Sequence, residues 1–260
     1  DIEQNSVVTL GNYHQWPHAY HGQLIDVVSS GNPKALIFDI IFDPKTSDTY
    51  NLVESLSWNQ ANSLPEVKTA ADQFLVSHDP SRFIWSTSQS TVTHHALVFE
   101  AEDSLNFLYA MDAVPPGYNA DKHTIKVSSE TANQLPKAER LGNTYLELLN
   151  SAAGAGSANF PQDEDGIIRR APTAVHFKGS GEVFLSLTLS AIKDILGIAT
   201  DGFDYDFDEG MLRLTDTSGI VVREIPIDNE GRMYVNYFGS FKTYYYIPYM
   251  YCFDPEMLDP

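Results

Sequence analysis

The sequence predicts a mixed α/β fold: a mixed sheet with a parallel βαβ core in the N-terminal half, antiparallel hairpins added in the C-terminal half, and helices on both faces. Three observations predict it. Residues 34–44, Lys34-Ala35-Leu36-Ile37-Phe38-Asp39-Ile40-Ile41-Phe42-Asp43-Pro44, form an apolar run that ends in an acid. Residues 20–30 before it carry helical apolar spacing at Leu24, Ile25 and Val28. From Met211 onward, β-rich segments alternate with the turn sequences Asp216-Thr217-Ser218-Gly219 and Asp228-Asn229-Glu230-Gly231.

In chain order, residues 6–10 read as a short strand, Trp16-Pro17 as a turn into the helix over 20–30, and Gly31-Asn32-Pro33 as its stop. Strand, helix, strand makes one βαβ unit, hence a parallel pair with a right-handed crossover. The second strand is apolar on both faces, as a strand covered on both sides has to be. Asp39 alone interrupts it, and Asp43 closes it.

A loop around residues 43–48 leads to a helix over 50–57 and a stronger one opening at Pro65, with Val67, Ala70, Ala71, Phe74 and Leu75 on one face. His78-Asp79-Pro80 ends it. Residues 82–86 read as a short buried strand that adds a second crossover, and 91–99 as a β-branched and aromatic strand. Residues 113–126 are loop-like, and 141–151 read as a helix through Leu141, Tyr145, Leu148 and Leu149. The small residues 152–157 pass close to another element, because small side chains permit tight backbone approach. Residues 157–160 and 167–172, joined by Pro161-Gln162-Asp163-Glu164-Asp165-Gly166, read as an antiparallel hairpin. A helix over 183–196 follows, with Leu185, Leu189, Ile192 and Leu196 on one stripe and Gly197 as its stop. Strands over 211–215, 220–227 and 233–237 complete the chain, which contains no internal repeat.

The totals bound the rest. With 260 residues, 43% of them hydrophobic, the chain can bury a sizeable core as one large domain or two small ones. A formal net charge of −19 repels nucleic acid and anionic membrane surfaces and favours solubility. The single cysteine, Cys252, excludes an internal disulfide, a CxxC motif and a multi-cysteine metal cluster. No run approaches the ~20 apolar residues of a membrane span, and no signal peptide is visible. The P-loop, GxSxG, HExxH and post-strand GxGxxG motifs are absent.

Asp39 and Asp43 lie toward the carboxyl end of a parallel strand, where open α/β sheets bind ligands. They could hold a cation or a ligand amine; equally, Asp39 could be a buried acid satisfied by loop amides and Asp43 a turn cap. Arg169 and Arg170 face opposite ways on a strand, and one of them is expected to pair with an acid, Asp39 among the choices. His14, His18 and His21 have the spacing i, i+4, i+7 for one helical face, but Pro17 disfavours a helix that includes His14. His94 and His95 sit on opposite strand faces. The alternation Asp204-Tyr205-Asp206-Phe207-Asp208-Glu209-Gly210 lacks the glycine and final acid of a calcium loop and reads as a half-exposed strand. The acidic turn over 163–166 is open to weak divalent binding. Tyr244-Tyr245-Tyr246-Ile247-Pro248-Tyr249-Met250-Tyr251 is either a partner surface or the last covered element of the sheet.

Three stretches point the same way: Trp16-Pro17 with its helix and the Phe38-Asp39-Ile40-Ile41-Phe42 strand; Asn159-Phe160 through Asp163-Glu164-Asp165-Gly166-Ile167-Ile168-Arg169-Arg170-Ala171-Pro172; and Pro226-Ile227-Asp228-Asn229-Glu230-Gly231-Arg232-Met233-Tyr234-Val235-Asn236-Tyr237-Phe238-Gly239. In that order and at these spacings, with the helix over 183–196 between the last two, they resemble the second class of CHASE domain. That is the extracellular sensor found in bacterial membrane receptors upstream of cyclases, histidine kinases, Ser/Thr kinases and diguanylate cyclases. The likeness covers nearly the whole chain. It implies a single, non-catalytic sensor domain over residues 1–260, in the periplasmic or extracellular part of an inner-membrane protein. It also implies membrane helices before and after the domain, a homodimer, and a small-molecule or ion ligand.

Two features depart from the family pattern. Pro17 is followed by His18-Ala19-Tyr20-His21 where the family shows an Arg, so no anion-binding role for that Arg is carried over. The chain also stops at Pro260 without the family's further Gly-Lys-apolar strand, which reads as an excised module with an edge left to be filled. The candidate ligand-binding set is Trp16, Asp39, Phe42, Asp43 and Arg169, with no catalytic residue, no metal ligand and no cofactor assigned. Two other functions stand beside the sensor: a metal-assisted hydrolase using Asp39 and Asp43 with a histidine, and a dimerisation module that binds nothing small.

Overall fold

A computed structural model describes residues 2, 4–42, 48–60, 64–100, 111–142, 145–240 and 243–253. The chain forms two compact units. The first gathers residues 1–33, 44–91 and 238–260; the second gathers 34–43 and 92–237.

The described elements of the first unit are helical. α1 (Gln4–Leu10) stands where a strand was expected. Its β-branched residues have no strand partner, and Val8 is 73% exposed. Ser6 is buried instead, and its hydroxyl accepts the Met250 N–H at 3.0 Å, next to a 3₁₀ turn over Tyr249–Phe253. α2 (His18–Ser30) begins directly after Pro17, as the Trp16-Pro17 turn predicts. α3 (Asp48–Gln60) and α4 (Pro65–Ser77) pack on each other, α4 with proline in its first turn.

α5 (Ser81–Gln89) replaces the buried strand expected over 82–86. The Asp79 carboxylate accepts the Ser81 N–H at 2.8 Å beside Pro80, so Asp79-Pro80-Ser81 opens a helix rather than a strand. Phe83 is fully buried and meets the rings of His18 and His21 on α2. Gly22 lets the two helices close, since a Cβ there would stand 3.0 Å from the Arg82 carbonyl oxygen.

The second unit is the mixed α/β body that the composition of its segments predicts. β1 (Leu36–Phe38), β2 (Thr93–Glu100) and β6 (Gly154–Ser157) are parallel, β2 in the middle. β5 (Arg140–Gly142) joins the far end of β2 antiparallel. The parallel pair of the early chain therefore exists, but its partner is β2 and not residues 6–10. β1 is also shorter than the apolar run, and Ile37 and Ile41 are exposed, so that run is not covered on both sides.

A second sheet runs β3 (Thr124–Ile125), β9 (Val183–Leu185), β8 (Ala174–Phe177), β4 (Lys137–Ala138). β10 (Ile198–Asp206), β11 (Met211–Asp216) and β12 (Val221–Pro226) form an antiparallel meander, as the turn sequences require. β7 (Arg170–Pro172) pairs with β13 (Arg232–Tyr234). Residues 157–172 are thus not a hairpin: Asp163 and Ile167 close a local turn, but one arm joins β2 and the other joins β13. α6 (Ser129–Gln134) and α7 (Leu146–Ser151) are short, and Leu141, expected in the α7 helix, lies in β5.

α8 (Leu187–Leu196) is capped by the Ser186 hydroxyl and ended by Gly197 in the left-handed region, φ 64°. The first three residues of the helix expected over 183–196 are β9 instead. α8 packs on β2 and β6 on one side and β10 on another. The period of two along β8 and β9 divides the core. Val175, Phe177 and Phe184 pack with Leu97, Phe99 and Leu141, while Ala174, Val183 and Leu185 pack with Leu189, Leu212 and Leu214.

Candidate functional site

A cleft with a volume of about 720 Å³ lies wholly in the second unit. That is in the range of small-molecule sites, about 300–1,000 Å³. One rung of the second sheet lines it, because the register sets Ile125 of β3 opposite Val183 of β9, and Val183 opposite His176 of β8. Ser129, Ala132 and Asn133 of α6 contribute a wall. Asp121 and Lys126 flank β3, and Glu182 sits where the turn over residues 177–182 enters β9. The lining is therefore mixed: an aliphatic strip, hydroxyl and amide groups, and charges of both signs.

Two lining residues hold open valences. His176 Nδ1 and Glu182 Oε2 are both shut off from solvent and have no hydrogen-bond partner among the described residues. Buried polar atoms are nearly always bonded, so each such atom calls for an explanation. Glu182 also acts electrostatically on Tyr118. Burial first, and then the Glu182 charge, push that phenol far above its usual value, while its hydroxyl bonds His123 Nδ1 at 2.6 Å.

The residues expected from the sequence lie elsewhere and do not form one group. Trp16 belongs to the core of the first unit: its indole N–H donates to the Gly11 carbonyl at 2.9 Å and its ring packs on Tyr249 at 4.9 Å. Phe42 is buried in the second unit, edge-on to Phe38 at 5.7 Å and to His95 at 5.8 Å, with His95 stacked on Phe38. Asp39 follows β1 and is exposed, not a buried acid. Asp43 lies outside the described residues.

Arg169 does not reach Asp39. It takes Asp165 in two hydrogen bonds, at 2.8 and 2.7 Å, and Asp163 at 3.2 Å. The Arg169 bond, with help from the Ile167 N–H, brings the Asp165 carboxyl down to about 2. Arg170 bonds Asp163 at 2.6 Å and Asp228 at 3.3 Å, so both arginines serve the acidic turn. The second and third sequence stretches named above thus meet through this network and the β7–β13 pairing. Of the aromatic tail, Tyr249 is buried and Tyr245 is 93% exposed, so the run divides between packing and surface.

Nothing in the sequence marks the cleft. Its residues come from the segment that reads as loop over 113–126, from Val183, which reads as the start of a helix, and from stretches with no element signal, and only the β8–β9 register sets His176 beside Val183. The one available signal is compositional, since His176 lies within one otherwise apolar strand and Glu182 directly precedes another.

Among the described residues no helix is long and apolar enough to cross a membrane, and no three His, Cys, Asp or Glu side chains converge as metal ligands. No curated protein and no solved structure gives a significant match to the chain. The family model of the CHASE2 domain matches residues 1–258. CHASE2 domains are extracellular sensor modules of membrane receptors, and they are not catalytic. With a match over essentially its whole length, the chain belongs to the CHASE2 domain family.

Proposed function

We propose that this chain is the extracytoplasmic signal-input module of a bacterial transmembrane receptor, upstream of a cyclase, kinase or diguanylate cyclase, and that it senses a small ligand in the cleft of the second unit. The observation that carries the reading is the pair of half-buried polar side chains, His176 and Glu182, that line a cleft of ligand size with no side-chain hydrogen-bond partner among the described residues. A ligand that supplies their partners binds one arrangement of the domain better than another, and that difference is what shifts a signalling equilibrium. Among the described residues the end of β1, with exposed Asp39, offers no comparable enclosure.

A thermal-shift screen of metabolites against the chain tests this. A ligand at one hundred times its Kd stabilises the native state by about 2.7 kcal/mol, enough to raise the melting point by several degrees. Ser129 is exposed on the cleft wall, so Ser129→Trp is expected to fold and to abolish the shift. Hits that survive this substitution would refute the cleft as the sensing site.

A further inference from the structure

We propose that the cleft recognises an aliphatic ammonium group, so that its ligand is a small amine-bearing molecule. The ammonium meets Glu182 and His176, and the carbon chain lies on Ile125 and Val183. The inference rests on the cleft being the sensing site and names the chemistry it selects.

The charge inventory carries it. Among the described residues two carboxylates have an oxygen that is buried and unbonded, in Glu100 and in Glu182. Glu100 faces the Arg140 guanidinium at 3.7 Å. The Glu182 side chain has neither an ion-pair nor a hydrogen-bond partner among the described residues, although it is half-buried. With one oxygen closed to water and no counter-charge, the Glu182 carboxylate is left partly uncompensated, and a cation that also donates hydrogen bonds supplies what it lacks. An ammonium group brings both, with three N–H donors for a carboxylate oxygen and for a His176 ring nitrogen acting as acceptor. A hydroxyl would satisfy the hydrogen bond and leave the charge uncompensated. The strip of Ile125 and Val183 across adjacent strands suits a short alkyl chain.

Two kinds of amine share this chemistry. An amino acid would place its carboxylate toward Lys126, which has no ion-pair partner among the described residues, and a diamine would place its second ammonium toward Asp121.

Calorimetric titration of the 260-residue chain with L-leucine and with cadaverine tests the inference, using 4-methylpentanoate and pentanediol as the matched compounds without nitrogen. At least one amine is expected to bind, its matched compound about tenfold more weakly or not at all, and Glu182→Gln to weaken the amine about tenfold. The trimethylated form of the binding amine, titrated into the unaltered chain, keeps the charge but has no N–H donor. It is expected to bind about tenfold more weakly, a result that does not depend on how the variant folds. If neither amine binds at millimolar concentration, or if binding is indifferent to both Glu182→Gln and trimethylation, the ammonium inference is overturned. A nitrogen-free compound that binds and is lost in Ser129→Trp would overturn that inference while upholding the cleft. Binding of any probe that survives Ser129→Trp would overturn both.

Discussion

The carboxamide of Asn159 pairs with both backbone groups of Phe99: its Oδ1 accepts the Phe99 N–H at 2.8 Å, and its Nδ2 donates to the Phe99 carbonyl at 2.7 Å. β6 ends at Ser157, and the Ala158 N–H still bonds the Leu97 carbonyl. The Asn159 side chain then supplies one more rung where the backbone has turned away. The Ser157 hydroxyl donates to the same Oδ1 at 3.1 Å and fixes which way the amide faces. Phe99 is held by this rung with its ring against Phe184 and Phe177 in the core.

Asn159→Leu leaves the N–H and the carbonyl of buried Phe99 without partners. Each orphaned group costs about 1–3 kcal/mol, so the variant is expected to lose about 2–6 kcal/mol. Asn159→Asp keeps the acceptor but sets a carboxylate oxygen against the Phe99 carbonyl, and is expected to be destabilised to a similar degree. Urea denaturation of the two variants checks this. A loss under about 1 kcal/mol would mean that water replaces the rung.

Gly154 and Gly156 lie two apart on β6 and present the same face. A Cβ at 154 would overlap the His94 ring and the Ser190 hydroxyl, both side chains. One at 156 would stand 2.7 Å from the backbone of Ser186 and Leu187, where α8 begins. Side chains yield more easily than the start of a packed helix. Gly154→Ala is therefore expected to cost about 1–3 kcal/mol, and Gly156→Ala more than Gly154→Ala. Comparing urea midpoints settles the order, and a near-neutral Gly156→Ala would contradict the close packing of α8 on β6.

The elements legible in the sequence are those with a local chemical signature. Gly197 ends α8, Pro65 opens α4, and the small residues at 152–157 announce the approach that Gly154 and Gly156 allow, whereas the apolar spacing starts α8 too early, three residues before its Ser186 cap. The misread elements are those decided at long range. α1 has β-branched residues but no strand to join, and its buried Ser6 is engaged by Met250, far along the chain. The arms around the 163–166 turn look like a hairpin, yet Asn159 ties one to Phe99 and Arg169 joins the other to Val235. Of the expected site residues, Arg169 is readable as a paired cation, whereas the burial of Trp16 and Phe42 is decided by packing that no local spacing shows. The cleft itself was hidden, since a register between strands, not any spacing, assembles Ile125, Val183 and His176.

Asp228 organises the turn between β12 and β13. Its Oδ1 accepts the N–H groups of Glu230 and Arg232, both at 2.9 Å, and its Oδ2 accepts from the Arg232 guanidinium at 2.8 Å. Burial works against the charge, but the Arg232 and Glu230 N–H groups and then the Arg232 guanidinium outweigh it and hold the carboxyl below its usual range. A depressed carboxyl contributes stability that is complete above its unfolded value of 3.8 and is lost as pH falls through the folded one. Asp228→Ala is expected to cost about 2 kcal/mol near neutral pH, and Asp228→Asn less, because the amide oxygen still accepts the two N–H groups. In both variants part of the loss of stability below about pH 4 should disappear. Melting curves across that range would show it, and an unchanged acid limb would count against the assignment.

Two buried histidines set the acid limit in the opposite chemical sense. In the first unit His21, bonded to the Tyr249 hydroxyl at 2.7 Å, is brought down to about 3 by burial and then by nearby His18. In the second unit His123 is brought to about 3 by burial and then by Lys122, Lys193 and His94. Both are neutral in the fold and take up a proton more readily when unfolded, at 6.5. Each stabilisation is therefore complete above 6.5 and is lost as pH falls from there toward about 3. Each site gives up about 2 kcal/mol by about pH 5, a range in which carboxylates still contribute little. His123→Gln keeps a partner for the Tyr118 hydroxyl and removes the titration. It is expected to flatten the fall in melting temperature between about pH 6.5 and pH 5. His21→Gln should do the same for the unit it belongs to. If both variants keep the unaltered slope, the two imidazoles are not buried as neutral groups, and the acid sensitivity of the chain lies with other residues.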